Sequence, residues 1–186
     1  MKLTVNLEKD SYPIYIENNI LSQAGNYIRK MYHGKRIMII SDDNVFPLYG
    51  DTLIRTLDSD YECHHLVLPH GEATKDFQTL PTVYKAMLEA KISRSDLVIA
   101  LGGGVIGDLA GFAASSYLRG VRLVQIPTSL LNSRLGLFSA TSFEALLFPK
   151  LRSHFAEFLN KGYPAHLRIL SSPTCVGLRY GHLFAQ

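Results

Sequence analysis

A continuous apolar run followed at once by three glycines constrains the fold of this chain more than any other feature. The run is Leu97-Val98-Ile99-Ala100-Leu101, and Gly102-Gly103-Gly104-Val105-Ile106-Gly107 follows it directly. Unbroken apolar runs are typical of strands that are covered on both faces of a parallel sheet. The glycines satisfy G-x-G-x-x-G where such a strand gives way to a helix, which we predict from about Val105 to Ser116.

This turn is a candidate phosphate site. Glycine lets the backbone turn tightly and come close to a ligand, and the free amides and the dipole of a helix N-terminus attract phosphate oxygens. The alternative is that the three glycines merely permit a tight turn between strand and helix.

The first 131 residues alternate short apolar runs with segments of helical period. Residues 3–7 and 12–16 alternate apolar and polar positions, which predicts an antiparallel hairpin with one wet face. Beyond it we predict helices at 20–31, 45–57 and 77–90, and strands at 36–41, 62–68, 96–101 and 121–126. Strand–helix alternation implies crossover connections and a mostly parallel sheet. The predicted fold is therefore α/β and Rossmann-like, preceded by a hairpin, with 1–131 as one domain.

Composition excludes several classes of protein. The chain has 186 residues, 47% of them hydrophobic, which is enough to bury a core. Its formal net charge of +3 comes from scattered Lys and Arg, so no nucleic acid partner is expected. Cys63 and Cys175 lie far apart without a CxxC pair, which argues against a disulfide framework and a structural zinc site. No signal peptide or 18-residue apolar window is present, so we expect a cytoplasmic protein with no membrane partner.

A second candidate loop, Ser41-Asp42-Asp43-Asn44-Val45, follows the strand at 36–41. An ordinary Rossmann half carries a ribose-binding acid about 20 residues after its glycines, but no acid lies between Asp108 and Glu144. Asp42 or Asn44 could bind ribose hydroxyls in its place. The alternative role of both is to cap the next helix, which the residue types alone favour.

Two further loops follow strands. In Pro69-His70-Gly71-Glu72-Ala73-Thr74-Lys75, Glu72 and Lys75 could reach a nucleotide, or could form an exposed ion pair of little energetic value. Thr128 and Ser129 end the fourth parallel strand, where their hydroxyls could bind phosphate or ribose, or cap a helix.

These four loops, in this order, resemble 3-dehydroquinate synthase, the sugar-phosphate cyclase of the shikimate pathway. The strongest match runs from Leu101 to Val121 and includes Tyr117-Leu118-Arg119-Gly120-Val121; Gln125-Ile126-Pro127-Thr128-Ser129-Leu130-Leu131 follows it. The Gly-Glu-Ala-x-Lys loop and the Asp-x-Asn turn stand in their usual places. The resemblance covers residues 1–131.

The resemblance implies an NAD site and a set of residues that line it. Those residues are Asp42, Asn44, Glu72, Lys75, Gly103, Gly104, Val105, Asp108, Thr128 and Ser129, with Gly107 in the glycine pattern. Arg119 corresponds to the family arginine that reaches the substrate phosphate of a neighbouring subunit. The alternative is that Arg119 is simply a solvated residue in the turn before a strand.

The implied reaction is that of a phosphorus–oxygen lyase. A hydroxyl of 3-deoxy-arabino-heptulosonate 7-phosphate is oxidised by NAD, phosphate is eliminated, hydride returns, and the ring opens and closes. NAD carries the hydride while the protein orients the reactants. A divalent metal, zinc or cobalt, polarises the reacting hydroxyl in the family, which is usually homodimeric.

The resemblance stops after Leu131. The family continues with an Asp-Ser-Ser run and then Gly-Gly-Lys, whereas here Leu135 stands at the aspartate position and Thr141 at the lysine position. Lys150 falls at the count of a second family lysine, but its neighbours do not match. The family's metal ligands, a glutamate and two histidines, come from an α-helical C-terminal domain, and we expect both domain and ligands to be missing here.

Residues 132–186 are therefore predicted to be a divergent tail. Their histidines, His154, His166 and His182, form no short-range pair of the kind that binds metal. A shift of reading frame near codon 132 would explain the abrupt change and predicts a poorly ordered, inactive chain. The alternatives are a non-catalytic nucleotide-binding fragment, a related sugar-phosphate cyclase, or a metal-dependent enzyme like glycerol dehydrogenase.

Overall fold

The computed structural model describes residues 2–5, 12–15 and 18–128. The predicted tail, 132–186, with His154, His166 and His182, lies outside the described residues, and so does Ser129. Within the described part, no helix is long and apolar enough to cross a membrane.

The described part contains six strands and four helices. The strands are β1 (Lys2–Val5), β2 (Tyr12–Tyr15), β3 (Arg36–Asp42), β4 (Glu62–Leu68), β5 (Leu97–Gly102) and β6 (Arg122–Pro127). The helices are α1 (Ala24–Arg29), α2 (Phe46–Leu57), α3 (Leu80–Glu89) and α4 (Gly104–Ser116). Short 3-10 turns lie at Ile20–Gln23, Glu72–Thr74, Phe77–Thr79 and Tyr117–Arg119.

Four strands form a parallel sheet in the order β4-β3-β5-β6. The central strand β5 is buried at every residue, as its continuous apolar sequence requires. The hairpin β1-β2 pairs separately and antiparallel, with Leu3 opposite Ile14. The predicted α/β fold with a parallel sheet and an N-terminal hairpin is therefore confirmed.

Alternate residues of the strands face two separate cores. Ile37 and Ile39 of β3, with their neighbours on β5, pack against α1 and α2 on one face. Met38 and Ile40 point the other way and pack against α3 and α4. Because a strand's side chains alternate between faces, a sheet covered on both sides needs apolar residues at nearly every position.

Two of the predicted helices begin later than their apolar periodicity suggests. The segment 20–31 is a 3-10 turn followed by α1, and the segment 77–90 is a 3-10 turn followed by α3. Asp76 accepts a hydrogen bond from the Gln78 amide at 3.0 Å and so caps the turn before α3. Pro81 lies in the first turn of α3, where its missing N–H costs nothing.

The C-terminus of α3 has a Schellman motif built without glycine. The Ile92 amide donates to the Met87 carbonyl and the Lys91 amide to the Leu88 carbonyl, both at 2.9 Å. Lys91 occupies the left-handed position of the motif with φ 53°. Ile92 and Met87 are both buried in the same core, which supplies the apolar contact of the motif.

Lys91→Gly should therefore stabilise the fold. The side chain of Lys91 is exposed, and glycine adopts the left-handed conformation without a Cβ penalty. We expect a gain of about 0.5–1 kcal/mol in the free energy of unfolding, measured by urea titration. Lys91→Ala keeps the strained conformation and serves as the control; equal stability of the two variants would contradict the assignment.

Candidate functional site

The carboxyl ends of β3 and β5 meet at the point where the order in which the chain adds strands to the sheet reverses. From β3 the chain continues to β4 on one side, and it later returns to β5 on the other side of β3. Ser41 pairs with Leu101 at this edge, so the residues that follow them are neighbours. Ligands of open α/β sheets bind in the crevice that such a reversal creates.

The glycine turn lies at this reversal, between a strand and a helix as predicted. Gly102 ends β5, Gly103 is extended at φ −77° and ψ −168°, and α4 begins at Gly104. The first helical bond runs from the Gly107 amide to the Gly103 carbonyl at 2.9 Å. The amides of residues 104–106 consequently have no acceptor within the helix and face the crevice end of α4.

Gly102 is required by packing. A Cβ built on Gly102 would lie 2.8 Å from the Cβ of Ile106, a branched carbon close to the helix backbone. Because Ile106 is buried in the core between the sheet and α3, it cannot move aside cheaply. The turn can be this tight only with glycine at the end of β5.

Asp42 caps the loop that leads into α2. One carboxylate oxygen, Oδ1, accepts hydrogen bonds from the amides of Asn44 at 3.0 Å and Val45 at 2.9 Å. Asp42 is buried at the end of β3, and its bonds hold the turn before α2. The N-cap residue of α2 is Val45, which has no side-chain cap hydrogen bond. The side chain of Asn44 is exposed beside it.

Lys75 pairs with Asp108. Its Nζ lies 2.7 Å from Asp108 Oδ2, and its side chain is only 7% exposed. The expected alternative, an exposed ion pair between Glu72 and Lys75, is wrong, because the β4–α3 loop carries Lys75 to the first turns of α4. Breaking a largely buried ion pair leaves a charge without compensation, so this pair ties the loop firmly to the helix.

Asp43 joins the loop after β3 to the loop after β4. Its Oδ1 accepts from the His70 amide at 2.9 Å and lies 2.8 Å from the ring Nδ1 of His70. The hydrogen bond from the His70 side chain lowers the pKa of Asp43 below its ordinary value. Sequence reasoning missed this pair, since Asp42 and Asn44 carried the family pattern and Asp43 did not.

The remaining loop residues lie at the same edge. Glu72 is exposed, and Gly71 before it has φ 97°. The amide of Thr128 donates to the Gly102 carbonyl at 3.1 Å, which places the end of β6 beside the glycine turn. The structure thus brings the loops of Asp42, Glu72, Gly103 and Thr128 to one edge of the sheet.

Comparison with known proteins identifies relatives of the N-terminal part of this chain. Residues 65–135 match the sequence model of a family described as 3-dehydroquinate synthase N-terminal. A 3-dehydroquinate synthase of Clostridium botulinum is 49% identical over 131 residues, which cover 70% of this chain and 37% of the relative. The Clostridium beijerinckii enzyme is 52% identical over 130 residues.

The N-terminal part of this chain matches the N-terminal part of 3-dehydroquinate synthases. The chain spans about 37% of the length of these relatives. The family recognised from the four loops is therefore confirmed for the part of the chain that carries them.

Two solved synthase structures share the fold of this domain. A 2-epi-5-epi-valiolone synthase from Streptomyces hygroscopicus with NAD+ and Zn2+ bound superimposes with a TM-score of 0.60 and 33% identity, covering 69% of this chain and 36% of that one. A 2-deoxy-scyllo-inosose synthase complexed with carbaglucose-6-phosphate, NAD+ and Co2+ gives a TM-score of 0.66 over 73% of this chain and 37% of the other, at 22% identity, which shows the fold alone.

Arg119 lies far from the other candidate residues of this domain. It follows the C-terminus of α4 in an exposed turn, where Leu118 and Arg119 have φ of 51° and 68°. At 1.5 Å per residue, α4 separates this turn from the glycine turn by roughly 20 Å. The structure does not bring Arg119 to the crevice of its own chain.

The described residues do not gather a metal site. No group of three or more His, Cys, Asp or Glu side chains in 2–5, 12–15 and 18–128 is arranged to hold a metal ion. His64 and His65 lie on the edge strand β4, where His65 stacks on Phe46 with ring centroids 4.7 Å apart.

Proposed function

We propose that this chain binds NAD at the reversal between β3 and β5, with the pyrophosphate on the first amides of α4. The observation that carries the proposal is the junction at Gly103 and Gly104, where the half-buried start of α4 presents amides without an acceptor in the helix to the crevice. Backbone N–H groups and the positive end of the helix dipole suit a diphosphate, and they need no charged side chain. The donor set of this chain therefore fits the phosphates of a dinucleotide.

Other residues of the edge would position the rest of the cofactor. Asn44 and Glu72 expose polar side chains beside the crevice, where ribose hydroxyls need acceptors. The ion pair of Lys75 and Asp108 fixes the wall formed by the β4–α3 loop against α4. When bound, NAD would supply the hydride acceptor for the chemistry of the family.

The full reaction of the family is the second part of the proposal. From the match to these relatives, we propose that the protein to which this domain corresponds is a 3-dehydroquinate synthase. Its reaction would be the NAD-dependent cyclisation of 3-deoxy-arabino-heptulosonate 7-phosphate with elimination of phosphate. The described residues fit NAD but not the divalent metal of the family, because they form no group of metal ligands. No catalytic step through a metal is derived from them.

A non-catalytic nucleotide-binding chain is the alternative for this polypeptide. It is favoured by the departure from the family pattern after Leu131, where Leu135 and Thr141 replace an expected aspartate and lysine. Neither a leucine nor a threonine can supply the charge of the residue that it replaces. The same departure supports the proposal that residues 132–186 are a divergent tail.

Titration calorimetry combined with a phosphate-release assay tests both parts. We expect the purified chain to bind NAD and to release no phosphate from 3-deoxy-arabino-heptulosonate 7-phosphate in the presence of NAD and zinc. A chain that binds no NAD would refute the cofactor assignment. Turnover by the purified chain would instead refute the non-catalytic alternative and support complete synthase function.

The position of Arg119 supports a homodimer. If Arg119 binds the phosphate of the substrate, its distance of roughly 20 Å from the glycine turn requires it to act on a neighbouring subunit. Sedimentation equilibrium should then show a dimer, and a monomer at every concentration tested would exclude this role.

A further inference from the structure

The segment 70–75 is fastened at both ends to other elements of the edge. At its start, His70 bonds to Asp43 in the loop after β3. At its end, Lys75 pairs with Asp108 in α4. Since the sheet order is β4-β3-β5, a segment that leaves β4 and reaches α4 passes the crevice between β3 and β5.

Internal bonds give this segment a fixed shape. The Thr74 hydroxyl donates to the Pro69 carbonyl at 2.6 Å, and the Thr74 amide donates to the Gly71 carbonyl at 3.1 Å. Gly71, with φ 97° and ψ 165°, has a conformation essentially restricted to glycine. No atom lies within 4 Å of a Cβ built there, so this side of the segment is open.

The contacts to Asp43 and Asp108 set where the segment lies. The internal bonds move with the segment, whereas Asp43 and Asp108 belong to neighbouring elements. Asp43 is itself held in register, because its amide donates to the Leu68 carbonyl at 3.0 Å at the end of β4. The backbone of Asp43 is therefore held beside the end of β4, from where its carboxylate accepts the bonds of His70.

We propose that Asp43 and His70 form a positioning pair that holds the segment 70–75, and with it Glu72, in place beside the dinucleotide site. The proposal rests on the proposed function, since it assigns the pair a role in NAD binding. Neither residue touches the reacting atoms. The pair acts by limiting the motion of the segment, so that less conformational entropy is lost when the cofactor binds.

Four variants separate the two hydrogen bonds of the pair. Asp43→Ala removes the acceptor of both bonds and should weaken NAD binding by about 3–10-fold. His70→Ala keeps the backbone bond and should weaken binding about 2–3-fold. His70→Asn should restore the wild-type affinity, because the side-chain amide of asparagine can donate from the place of Nδ1. Asp43→Ala/His70→Ala should bind no more weakly than Asp43→Ala alone.

Asp60→Ala is the matched control. Asp60 is also an exposed aspartate that accepts short hydrogen bonds, from Arg29 Nε at 2.6 Å and the Ser59 hydroxyl at 2.7 Å. It precedes β4 and so lies at the opposite edge of the sheet. Its replacement should leave the affinity for NAD unchanged.

Calorimetry with NAD and amide hydrogen exchange of residues 71–75 read out the effect. We expect Asp43→Ala to weaken binding, to speed exchange in the segment and to leave the unfolding temperature nearly unchanged, as for exposed pairs generally. If the wild type binds NAD and Asp43→Ala binds it equally well, the positioning pair is refuted while the proposed function stands. If the wild type binds no NAD, the proposed function fails and the role of the pair in binding fails with it.

Discussion

Asp96→Asn should lower the free energy of unfolding by about 2–4 kcal/mol, because the buried carboxylate of Asp96 accepts from four donors. The amide and hydroxyl of Ser93 donate to Oδ2, both at 2.7 Å. The Arg36 amide donates to Oδ1 at 3.3 Å, and the hydroxyl of Tyr32 shares its proton between Oδ1 at 3.2 Å and the Arg36 carbonyl at 2.7 Å. Asp96 is 3% exposed, so water cannot replace these bonds.

Asparagine cannot satisfy this site in either orientation. Its side-chain amide offers one acceptor oxygen and two N–H donors, whereas an ionised carboxylate only accepts. The NH2 group would face either both donors of Ser93 or those of Arg36 and Tyr32. Each buried polar group left unsatisfied costs about 1–3 kcal/mol, which gives the expected loss.

The effect should also depend on pH. Burial raises the pKa of Asp96, but the hydrogen bonds from Ser93, Arg36 and Tyr32 outweigh it and leave the pKa below its ordinary value. A group with a depressed pKa contributes stability above its unfolded pKa, about 4 for aspartate, and loses it as the pH falls through the folded value. The difference between wild type and Asp96→Asn should therefore shrink below about pH 4.

Urea unfolding at neutral and acidic pH measures both effects. Asp58→Asn, at an exposed aspartate after α2, is the control and should change the free energy of unfolding by less than about 0.5 kcal/mol. A loss for Asp96→Asn no larger than that of the control would contradict the four-donor assignment.

Gly104→Pro should weaken NAD binding by roughly 10–100-fold without unfolding the protein, because it removes one amide from the proposed phosphate site. Position 104 is the first residue of α4, where proline is well tolerated. The extended backbone of Gly103 also suits the residue before a proline. The lost N–H would otherwise donate to a charged phosphate oxygen, a bond worth about 1.5–3 kcal/mol.

Gly104→Ala is the matched control for this change. Alanine adds a Cβ, as proline does, but keeps the amide. The ratio of the two dissociation constants, measured by calorimetry, therefore reports the amide rather than the added volume. Equal affinities of the two variants would place the phosphates elsewhere.

Together, the two variants probe opposite edges of the sheet. Asp96 joins the start of β5 to the residue that begins β3, while Gly104 follows the other end of β5. One change should affect mainly the stability of the fold, and the other mainly the binding of a ligand. In this domain the proposed cofactor site lies at the carboxyl edge of the sheet.

The local features of the fold could be predicted from the sequence. Continuous apolar residues predicted β3 and β5, and three glycines after β5 predicted the start of α4 to within one residue. Such patterns involve only residues that are close in sequence, and they are enough to assign strands, helices and turns. The hydrogen bonds of Asp42 are likewise local, since its carboxylate accepts from amides two and three residues away.

The pairing of distant residues was decided only by the tertiary structure. Periodicity predicts four parallel strands but not the order β4-β3-β5-β6, because the same apolar pattern suits several orders. That order brings Asp43 to His70 and Lys75 to Asp108, and it places Tyr32 and Arg36 beside Asp96. These contacts depend on how crossovers place one loop beside another, which short-range sequence patterns do not encode.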